Sequence, residues 1–465
     1  MIMDILLIEP PYRSLKGAGP DSGYNIALPS LATFLREKDM EARVITCDLY
    51  EEAPARVFAL DYAKGQELYM ETIDNDEHPV WKKIAADISS VDTSLIGIVF
   101  LTPMIHSVEK VIRIIKKTCP KIQILVGGHH PTFLPDEVMK NPDIDFIIRG
   151  EGEIPLYELI KALKTPHPDF KTVPSLTYRD QDKVIHNPMA PLIEDLDSLP
   201  YIERDLVINC DYNKHQGHYF NTARGCPYSC SFCADKRIWG GRIRRRSVRN
   251  AIDELLMLQK NYKIKMVDMT DGTFTYDRKY LIEFCKEFVK NKLTVPWRCT
   301  ARYDNIDEEM LLYLKGANCQ GLYFGLESGS EKILKAMNKK TNLDMILEKS
   351  EMVYRSGVES VAAILLGVPD EDSEDLESTI RIMKMIKVDL FDINNYVPLP
   401  GTFYYEKMTQ EERDKIEWKK TGYKSFGNCF SHNVSQDEFN HYLMQAYGIA
   451  KTTMDNFIAQ NQQTA

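Results

Sequence analysis

A chain of 465 residues is long enough for two or three domains with real hydrophobic cores. Hydrophobic residues at 44% and charged residues at 27% are ordinary globular values, which exclude a disordered or collagen-like chain. Lys and Arg number 58 against 68 Asp and Glu, and the net charge of −10 argues against nucleic acid or an anionic membrane as the main partner. A small-molecule substrate fits better.

The sequence carries no sign of export or membrane insertion. No apolar run approaches the roughly 18 residues of a membrane helix, and the start lacks the features of a secretory signal. The ten cysteines are too dilute for a disulfide framework. These features predict a cytoplasmic protein without a membrane span.

Residues 1–152 alternate short apolar runs with amphipathic stretches, which predicts an α/β domain of Rossmann-like type with buried parallel strands. Strands are predicted at 5–8, 95–100, 122–126 and 146–148, each followed by Pro, Thr or Gly. Ligands bind at the carboxyl ends of the strands in such sheets. The turns after these strands are therefore the predicted ligand loops.

The rest of the chain is predicted to form a linker, a second α/β domain and a tail. Residues 153–214 are rich in proline and weakly periodic, as expected of a linker. Within 215–401, strands are predicted at 264–269, 295–300, 321–326, 358–366 and 390–397, and one more before the cysteine-rich stretch makes six. Six strand-helix units predict a partial (β/α)6 barrel of the TIM type. Residues 402–465 are predicted as a mostly helical extension with a capping box from Ser435 to Glu438.

One loop brings together three cysteines, Cys226, Cys230 and Cys233. Soft thiolates select iron-sulfur clusters, zinc or copper(I). A structural zinc site needs four ligands, and the nearest further candidates match no usual zinc spacing: His215, His218 and Asp235. An iron-sulfur cluster is the favoured interpretation, and a zinc site or inert core cysteines are the alternatives.

The Cys-x3-Cys-x2-Cys loop, with Phe232 before the last cysteine, resembles the signature of the radical S-adenosylmethionine (SAM) enzymes. The resemblance implies that the three cysteines ligate a four-iron four-sulfur (4Fe-4S) cluster whose open iron chelates SAM. It also implies cleavage of SAM to a 5′-deoxyadenosyl radical, anaerobic chemistry, and a reducing partner such as flavodoxin or ferredoxin.

Segments at the ends of the later barrel strands resemble SAM-binding elements of the same family. The resemblance implies SAM contacts at Phe232, Thr270, Asp271, Gly272, Arg302, Glu327, Ser328 and Leu366. Taken singly, acidic residues at strand ends could equally cap helices or face solvent. Arg302 could likewise pair with an acid at the surface.

Residues 26–31, 126–132 and 149–153 resemble the cobalamin-binding domain that precedes many radical SAM barrels. The resemblance implies cobalamin contacts at Pro29, Ser30, Thr102, Gly127, Gly128, His129 and Glu151. None of the ten histidines lies in the Asp-x-His-x-x-Gly arrangement that supplies cobalt with an axial ligand in other cobalamin proteins. The alternative is a domain that keeps the fold as an empty scaffold.

Together these resemblances imply a cobalamin-dependent radical SAM methyltransferase that acts on an unactivated carbon or phosphorus centre. One alternative is radical SAM chemistry without methylation, such as cyclisation, rearrangement or transfer of another SAM fragment, with or without bound cobalamin. A second is a zinc-stabilised binding module. The basic run at 242–246 is interpreted as a solvated or domain-pairing face rather than a nucleic-acid site.

Overall fold

A computed structural model describes residues 3–12, 25–47, 70–210, 217–418, 421–423 and 429–463. The described part of the chain divides after residue 214 into two compact units. No helix in these described ranges is long and apolar enough to cross a membrane. His215, a candidate zinc ligand, lies outside the described residues.

A mixed sheet of seven strands forms the centre of the first unit. The strands are β1 (Ile5–Glu9), β2 (Ala42–Thr46), β3 (Leu95–Val99), β4 (Gln123–Gly127), β5 (Phe146–Ile148), β6 (Leu176–Asp180) and β7 (Lys183–His186). Their order is β2-β1-β3-β4-β5-β6-β7. The first five pair in parallel, and β6 and β7 add an antiparallel edge. Every residue of β1 and β3 is buried, as their continuous apolar runs predict.

Helices accompany this sheet: α1 (Ala27–Arg36), α2 (Pro79–Ser89), α3 (Ile105–Thr118), α4 (His129–Phe133), α5 (Pro135–Val138) and α6 (Glu153–Leu163). In α3 the apolar residues at helical spacing are all buried, namely Val108, Val111, Ile112 and Ile115. The chain leaves β1 for β2 on one side and reaches β3 on the other. This change of direction makes the carboxyl ends of β1 and β3 the topological switch point of the sheet.

Residues 153–214 contribute more to the first unit than the expected linker would. They supply α6 and the antiparallel strands β6 and β7. The prolines fit this arrangement because Pro155 lies in the first turn of α6, Pro174 precedes β6, and Pro188 follows β7. Short edge strands show little periodicity, which explains why the sequence pattern suggested a linker.

The second unit is built on six parallel strands. They are β8 (Gly217–Phe220), β11 (Met266–Met269), β12 (Trp297–Ala301), β13 (Cys319–Glu327), β14 (Glu359–Leu366) and β15 (Leu390–Asn395), and they pair in chain order. Between β8 and β11, β9 (Ala223–Arg224) and β10 (Arg244–Arg245) form a small antiparallel ribbon. The result is the partial (β/α)6 barrel that the sequence predicts.

The helices of this unit are α7 (Asp235–Trp239), α8 (Val248–Asn261), α9 (Arg278–Lys290), α10 (Glu308–Gly316), α11 (Glu331–Ala336), α12 (Leu343–Ser356), α13 (Ser373–Met385), α14 (Phe403–Lys407), α15 (Gln410–Asp414) and α16 (Gln436–Gln463). In β13, Leu322, Phe324 and Leu326 join the core shared with the helices. Side chains alternate along a strand, so Tyr323 and Glu327 face the barrel interior.

The helical tail packs against the barrel core through the apolar face that the sequence predicts. Phe439, Leu443 and Ala446 of α16 have no exposed surface. Half of the predicted capping box forms, because the Ser435 hydroxyl accepts a hydrogen bond from the Glu438 N–H at 3.3 Å. The Glu438 carboxylate instead accepts one from the Ser373 hydroxyl at 2.5 Å.

The basic run differs from its interpretation as a solvated or domain-pairing face. Arg244 is buried, and the Arg245 guanidinium lies 4.7 Å from the ring centre of Tyr280. Arg246 pairs with the buried Glu254 at 2.5 Å. Pairing of β10 with β9 turns these arginines against the barrel, where aromatic rings and an acid provide partners.

Candidate functional site

The cysteine loop, residues 225–233, is fixed at its start by Asp271, which follows β11. The Asp271 carboxylate accepts hydrogen bonds from the backbone N–H groups of Thr222 at 2.7 Å and Ala223 at 3.0 Å, and from the Thr222 hydroxyl. The residue is 2% exposed, and burial raises the pKa of its carboxyl group. These contacts use the Asp271 oxygens to hold the chain that enters the loop, and the SAM contact expected of Asp271 stays a prediction.

Gly272 lets the turn after β11 approach the loop closely. A Cβ atom at this position would lie 3.1 Å from Cys226 Cβ and 3.0 Å from an oxygen of Asp235. The Cys226 thiol is itself 3.7 Å from the Thr273 hydroxyl. Residues 270–273 therefore lie against the cysteine loop.

The middle of the loop is held by the turn that follows α11. Ser231 donates its N–H to the carbonyl of Met337 and its hydroxyl to the carbonyl of Ala336, both at 2.9 Å. The Asn338 amide donates to the Ser229 carbonyl at 2.9 Å. Because these hydrogen bonds fix the backbone on both sides of Cys230, they restrict the loop to one conformation.

The segment after β12 contacts the loop through Tyr228. The Arg302 guanidinium lies 3.8 Å from the Tyr228 ring centre, within cation–π range, and Asn305 donates to the Tyr228 hydroxyl at 2.6 Å. Arg302 also pairs with Asp304 at 2.8 Å. The loop is thus tied to segments that follow three neighbouring strands.

The three thiols of the loop are free and influence one another electrostatically. Burial raises the pKa of the Cys230 thiol, while the charges of Lys339 and Arg302 oppose that rise. Within the described residues, no group of three His, Cys, Asp or Glu side chains meets the arrangement of a metal-ion site. By its chemistry the donor set fits an iron-sulfur cluster, since three soft ligands share one loop with two cations that favour thiolate.

Three other residues predicted to bind SAM are Phe232, Thr270 and Glu327. Phe232 is half-buried against an apolar cluster that includes Leu365 and Val368, close to Leu366 at the end of β14. Thr270 is exposed after β11. Glu327 ends β13 with a backbone φ of 71° and pairs with Lys339 at 2.8 Å. These residues lie at the carboxyl ends of their strands, where the chemistry of a barrel is expected.

Ser328 is enclosed beneath the end of β13, and the SAM contact expected of it stays a prediction. Its side chain has no exposed surface, and its hydroxyl lies 3.3 Å from that of Thr379 and accepts the Ser330 N–H at 3.2 Å. The hydroxyl is therefore part of the packing beneath the strand end. Sequence reasoning missed Lys339, which Glu327 binds, because Lys339 follows α11 in a stretch that carries no motif.

In the first unit, the turns after β3 and β4 meet. Gly128 has a φ of 117°, and a Cβ atom there would lie 2.8 Å from the Phe100 carbonyl oxygen. The ring of His130 stacks on Phe100 with centroids 4.6 Å apart, and its Nδ1 lies 3.1 Å from the Thr102 hydroxyl. The structure thus brings together the predicted Thr102 and Gly128 beside the switch point.

The two adjacent histidines of this turn have different surroundings. His129, predicted to contact cobalamin, is exposed. His130, which sequence reasoning left out of the site, is 2% exposed, and burial lowers the pKa of its imidazole to about 4. His130 is therefore neutral near pH 7. Its position between the Phe100 ring and the Thr102 hydroxyl, which both follow β3, could not be read from the local motif.

Most of the remaining residues predicted to contact cobalamin are buried or hydrogen-bonded within the first unit. Glu151, 8% exposed after β5, accepts a hydrogen bond from the Ile193 N–H at 2.7 Å. This contact ties the segment after β7 to the sheet, and the cobalamin contact expected of Glu151 stays a prediction. Pro29 is buried in α1 and Ser30 is half-buried beside it, while Gly127 ends β4.

Comparison with family models identifies two domains. Residues 220–383 match the radical SAM superfamily, and residues 19–160 match the B12 binding domain. Two features of the fold agree with these matches. The cysteine loop belongs to the unit with six parallel strands, and a Rossmann-like sheet precedes that unit in the chain.

The proteins similar to this chain include methyltransferases and a cyclase. An uncharacterized methyltransferase from Pyrococcus horikoshii is 29% identical, over 87% of this chain and 83% of that protein. An anaerobic magnesium-protoporphyrin IX monomethyl ester cyclase from Rubrivivax gelatinosus is 30% identical, over 75% of this chain and 63% of the cyclase. The radical SAM methyltransferase TsrM from Kitasatospora setae shares the fold, with a TM-score of 0.65, 17% identity, and coverage of 87% and 77% of the two chains.

The chain therefore carries a B12-binding domain ahead of a radical SAM domain. The radical SAM domain implies a 4Fe-4S cluster and SAM as cofactors, and the B12-binding domain implies cobalamin.

Proposed function

We propose that the protein is a cobalamin-dependent radical SAM methyltransferase whose substrate is a small molecule with an unactivated carbon or phosphorus centre. The observation that carries the proposal is the pairing, in one chain, of a three-cysteine loop at the ends of parallel strands with a B12-type sheet. The methyltransferase names of the Pyrococcus horikoshii relative and of TsrM support this choice.

In this proposal the chain's own residues hold the cofactors. Cys226, Cys230 and Cys233 ligate the cluster, which Lys339 and Arg302 assist by favouring thiolate. When bound, the cluster supplies the electron that cleaves SAM, and cobalamin supplies a carrier for the methyl group. The anchored loop restricts motion of the cysteines, and the apolar surroundings of Phe232 exclude water from one side of the site.

The contacts to SAM and cobalamin belong to the same proposal. We assign SAM contacts to Phe232, Thr270, Gly272 and the Glu327–Lys339 pair, and cobalamin contacts to the turns at Thr102 and 127–129. The proposed domains are residues 1–152, with the helix and strands of 153–214 added to them, then 215–401 and 402–465. The ten cysteines, all among the described residues, form no disulfide, which supports the proposal of a reducing, cytoplasmic setting, anaerobic chemistry and reduction by a flavodoxin or ferredoxin.

A second candidate function is radical SAM chemistry without methylation. The cyclase name of the Rubrivivax gelatinosus relative favours it, although this chain spans 63% of that protein. The products separate the two. Methylated substrate with S-adenosylhomocysteine supports the first, whereas substrate-dependent 5′-deoxyadenosine without methylation supports the second.

The first experiment is anaerobic purification with cobalamin supplied, followed by iron, sulfide and corrin analysis and by measurement of SAM cleavage with dithionite. We expect about four irons per chain. Alanine at position 226, 230 or 233 should remove the iron and the cleavage. Cys119→Ala is the matched control, because Cys119 lies in the first unit at the end of α3, and it should keep both. One equivalent of zinc without iron would overturn the proposal.

A further inference from the structure

The barrel interior has a polar network that neither the cysteine loop nor the strand-end turns use. The Tyr323 hydroxyl donates a hydrogen bond to an oxygen of Asp392, and the Asn394 amide donates to the same carboxylate oxygen at 3.0 Å. Tyr323 belongs to β13, whereas Asp392 and Asn394 belong to β15, so the tyrosine side chain reaches across β14. The network therefore fixes the orientation of the Tyr323 ring.

The Tyr323 ring is accessible although the phenol is desolvated. The residue is 37% exposed, while its neighbours Leu322 and Phe324 are buried in the core on the opposite face of the strand. Burial raises the pKa of the phenol well above its usual value, and the charge of Asp392 adds to the rise. An accessible ring in an interior setting is a surface against which a ligand can pack.

The strand between the two partners supplies apolar neighbours. In the register of the sheet, Val361 pairs with Tyr323, Ala363 with Asp392, and Leu365 with Asn394. These β14 side chains share the interior face, because Ala362 and Ile364 between them belong to the core. Next to the Tyr323 ring, the interior thus presents a row of small and medium apolar side chains.

The cations of this face and its rim are each paired with a carboxylate. Arg298 binds Asp268, with one contact at 3.2 Å, and Lys339 binds Glu327 at 2.8 Å. Arg302 binds Asp304 at 2.8 Å. An anionic group placed against the Tyr323 ring would compete with these carboxylates for each cation and would face the charge of Asp392.

From these observations we propose that Tyr323 is a substrate-positioning residue whose ring packs against a planar, uncharged part of the substrate, and that the interior disfavours a phosphate, phosphonate or carboxylate at that place. The inference rests on the proposed function, since it assumes that the substrate reaches the barrel beneath the strand ends. It narrows that function toward carbon rather than phosphorus as the acceptor.

The test uses the reconstituted holoenzyme with SAM and two planar probes of equal shape, neutral benzamide and anionic benzoate. Binding is followed by saturation-transfer difference NMR spectra of the probe protons, with the cluster left oxidised so that SAM is not cleaved during the measurement. We expect benzamide to bind at least about tenfold more tightly than benzoate, because the charged probe has to be desolvated beside Asp392.

Two variants separate positioning from simple packing. Tyr323→Leu should weaken benzamide binding about tenfold, and Tyr323→Phe, which keeps the ring but loses the hydrogen bond to Asp392, should restore part of it. Tyr354→Leu is the matched control, because Tyr354 is a similarly exposed tyrosine on α12, at 43%. It should leave benzamide binding unchanged.

Equal binding of the two probes, absence of benzamide binding, or equal effects of Tyr323→Leu and Tyr354→Leu would overturn the inference. Cleavage of SAM by the same preparations tells its failure from that of the proposed function. If the native protein holds iron and cleaves SAM, the radical SAM chemistry of the proposed function stands whatever the probes show. If it holds no iron, the proposed function fails first.

Discussion

At the scale of single residues, two buried carboxyl groups differ in how fully they are hydrogen-bonded. Asp271 has three hydrogen-bond donors around it and organises the entry to the cysteine loop. Glu371, after β14, has no exposed surface, and one of its oxygens accepts the Gly367 N–H at 2.6 Å. Its other oxygen has no partner among the described residues. Burial raises the pKa of Glu371 to about 8, so this carboxyl group is protonated at neutral pH.

Asp271→Asn should loosen the cysteine loop. An asparagine keeps one acceptor oxygen but points an amide group at N–H donors, and an unsatisfied buried group costs about 1–3 kcal/mol. We expect a lower urea midpoint and less iron retained after reconstitution. The exposed Asp344→Asn is the control and should match the native protein in both measurements.

Glu371→Gln should make the stability of the protein less dependent on pH. The folded-state pKa of about 8 lies above the ordinary 4.5, so the folded protein holds the proton more tightly. The contribution of this group to the free energy of unfolding is therefore fully present below about pH 4.5, and it is lost as the pH rises toward about 8. Relative to Glu371→Gln, the native protein should lose up to about 1.4 kcal/mol per pH unit in this window.

Denaturant midpoints at several pH values between 5 and 8 measure that difference. The exposed Glu348→Gln provides the comparison for removal of one negative charge. Parallel curves for the native protein and Glu371→Gln would mean that Glu371 is ionised in the folded state.

At the scale of elements, the turn between β4 and α4 decides how the predicted cobalamin site is built. Gly128 has a backbone conformation that other residues rarely adopt, and the Phe100 backbone leaves no room for a Cβ atom. The neighbouring Gly127 ends the strand, and a Cβ atom there would make only an ordinary contact of 3.5 Å with the Ile148 carbonyl. Two adjacent glycines therefore face different constraints.

Gly128→Ala should destabilise the first unit by about 1–3 kcal/mol, the cost of a residue forced into a sparsely populated conformation. Gly127→Ala is the matched control, and its free energy of unfolding should lie within about 0.5 kcal/mol of that of the native protein. Thermal unfolding of the protein without added cobalamin measures both, so that the result does not depend on cofactor binding. Equal losses in the two variants would contradict the assignment of strain to Gly128.

At the scale of the whole molecule, each compact unit carries its own proposed cofactor site. The thiol loop and its anchors lie within residues 217–418, and the turns at Thr102 and Gly128 lie within the first unit. Loading of cluster and cobalamin should therefore be separable by mutation, even if activity requires both.

His130→Ala should reduce cobalamin binding, because the imidazole fixes Thr102 and packs on Phe100, while leaving the iron content unchanged. Cys230→Ala should do the reverse. Corrin absorbance and iron analysis of the same anaerobic samples check both expectations. Joint loss of the two cofactors in either variant would show that the sites do not load independently.

The order of elements and the cysteine loop were predictable because both are encoded locally. Buried parallel strands need continuous apolar runs, and three ligands to one cluster can lie within eight consecutive residues such as 226–233. The antiparallel strands β6 and β7 escaped prediction, since strands of five and four residues have too few positions to establish a period.

The sequence by itself determined two α/β units, the partial barrel and the three thiols. Only the tertiary structure decided which polar side chains form internal hydrogen bonds, such as Asp271 and Ser328. It also decided which residues outside the predicted set contact the predicted site residues, such as Lys339 and His130. The physical reason is distance along the chain. A hydrogen bond between Asp271 and Thr222, or a ring bridging β13 and β15, depends on strand pairing and packing, which no local spacing specifies.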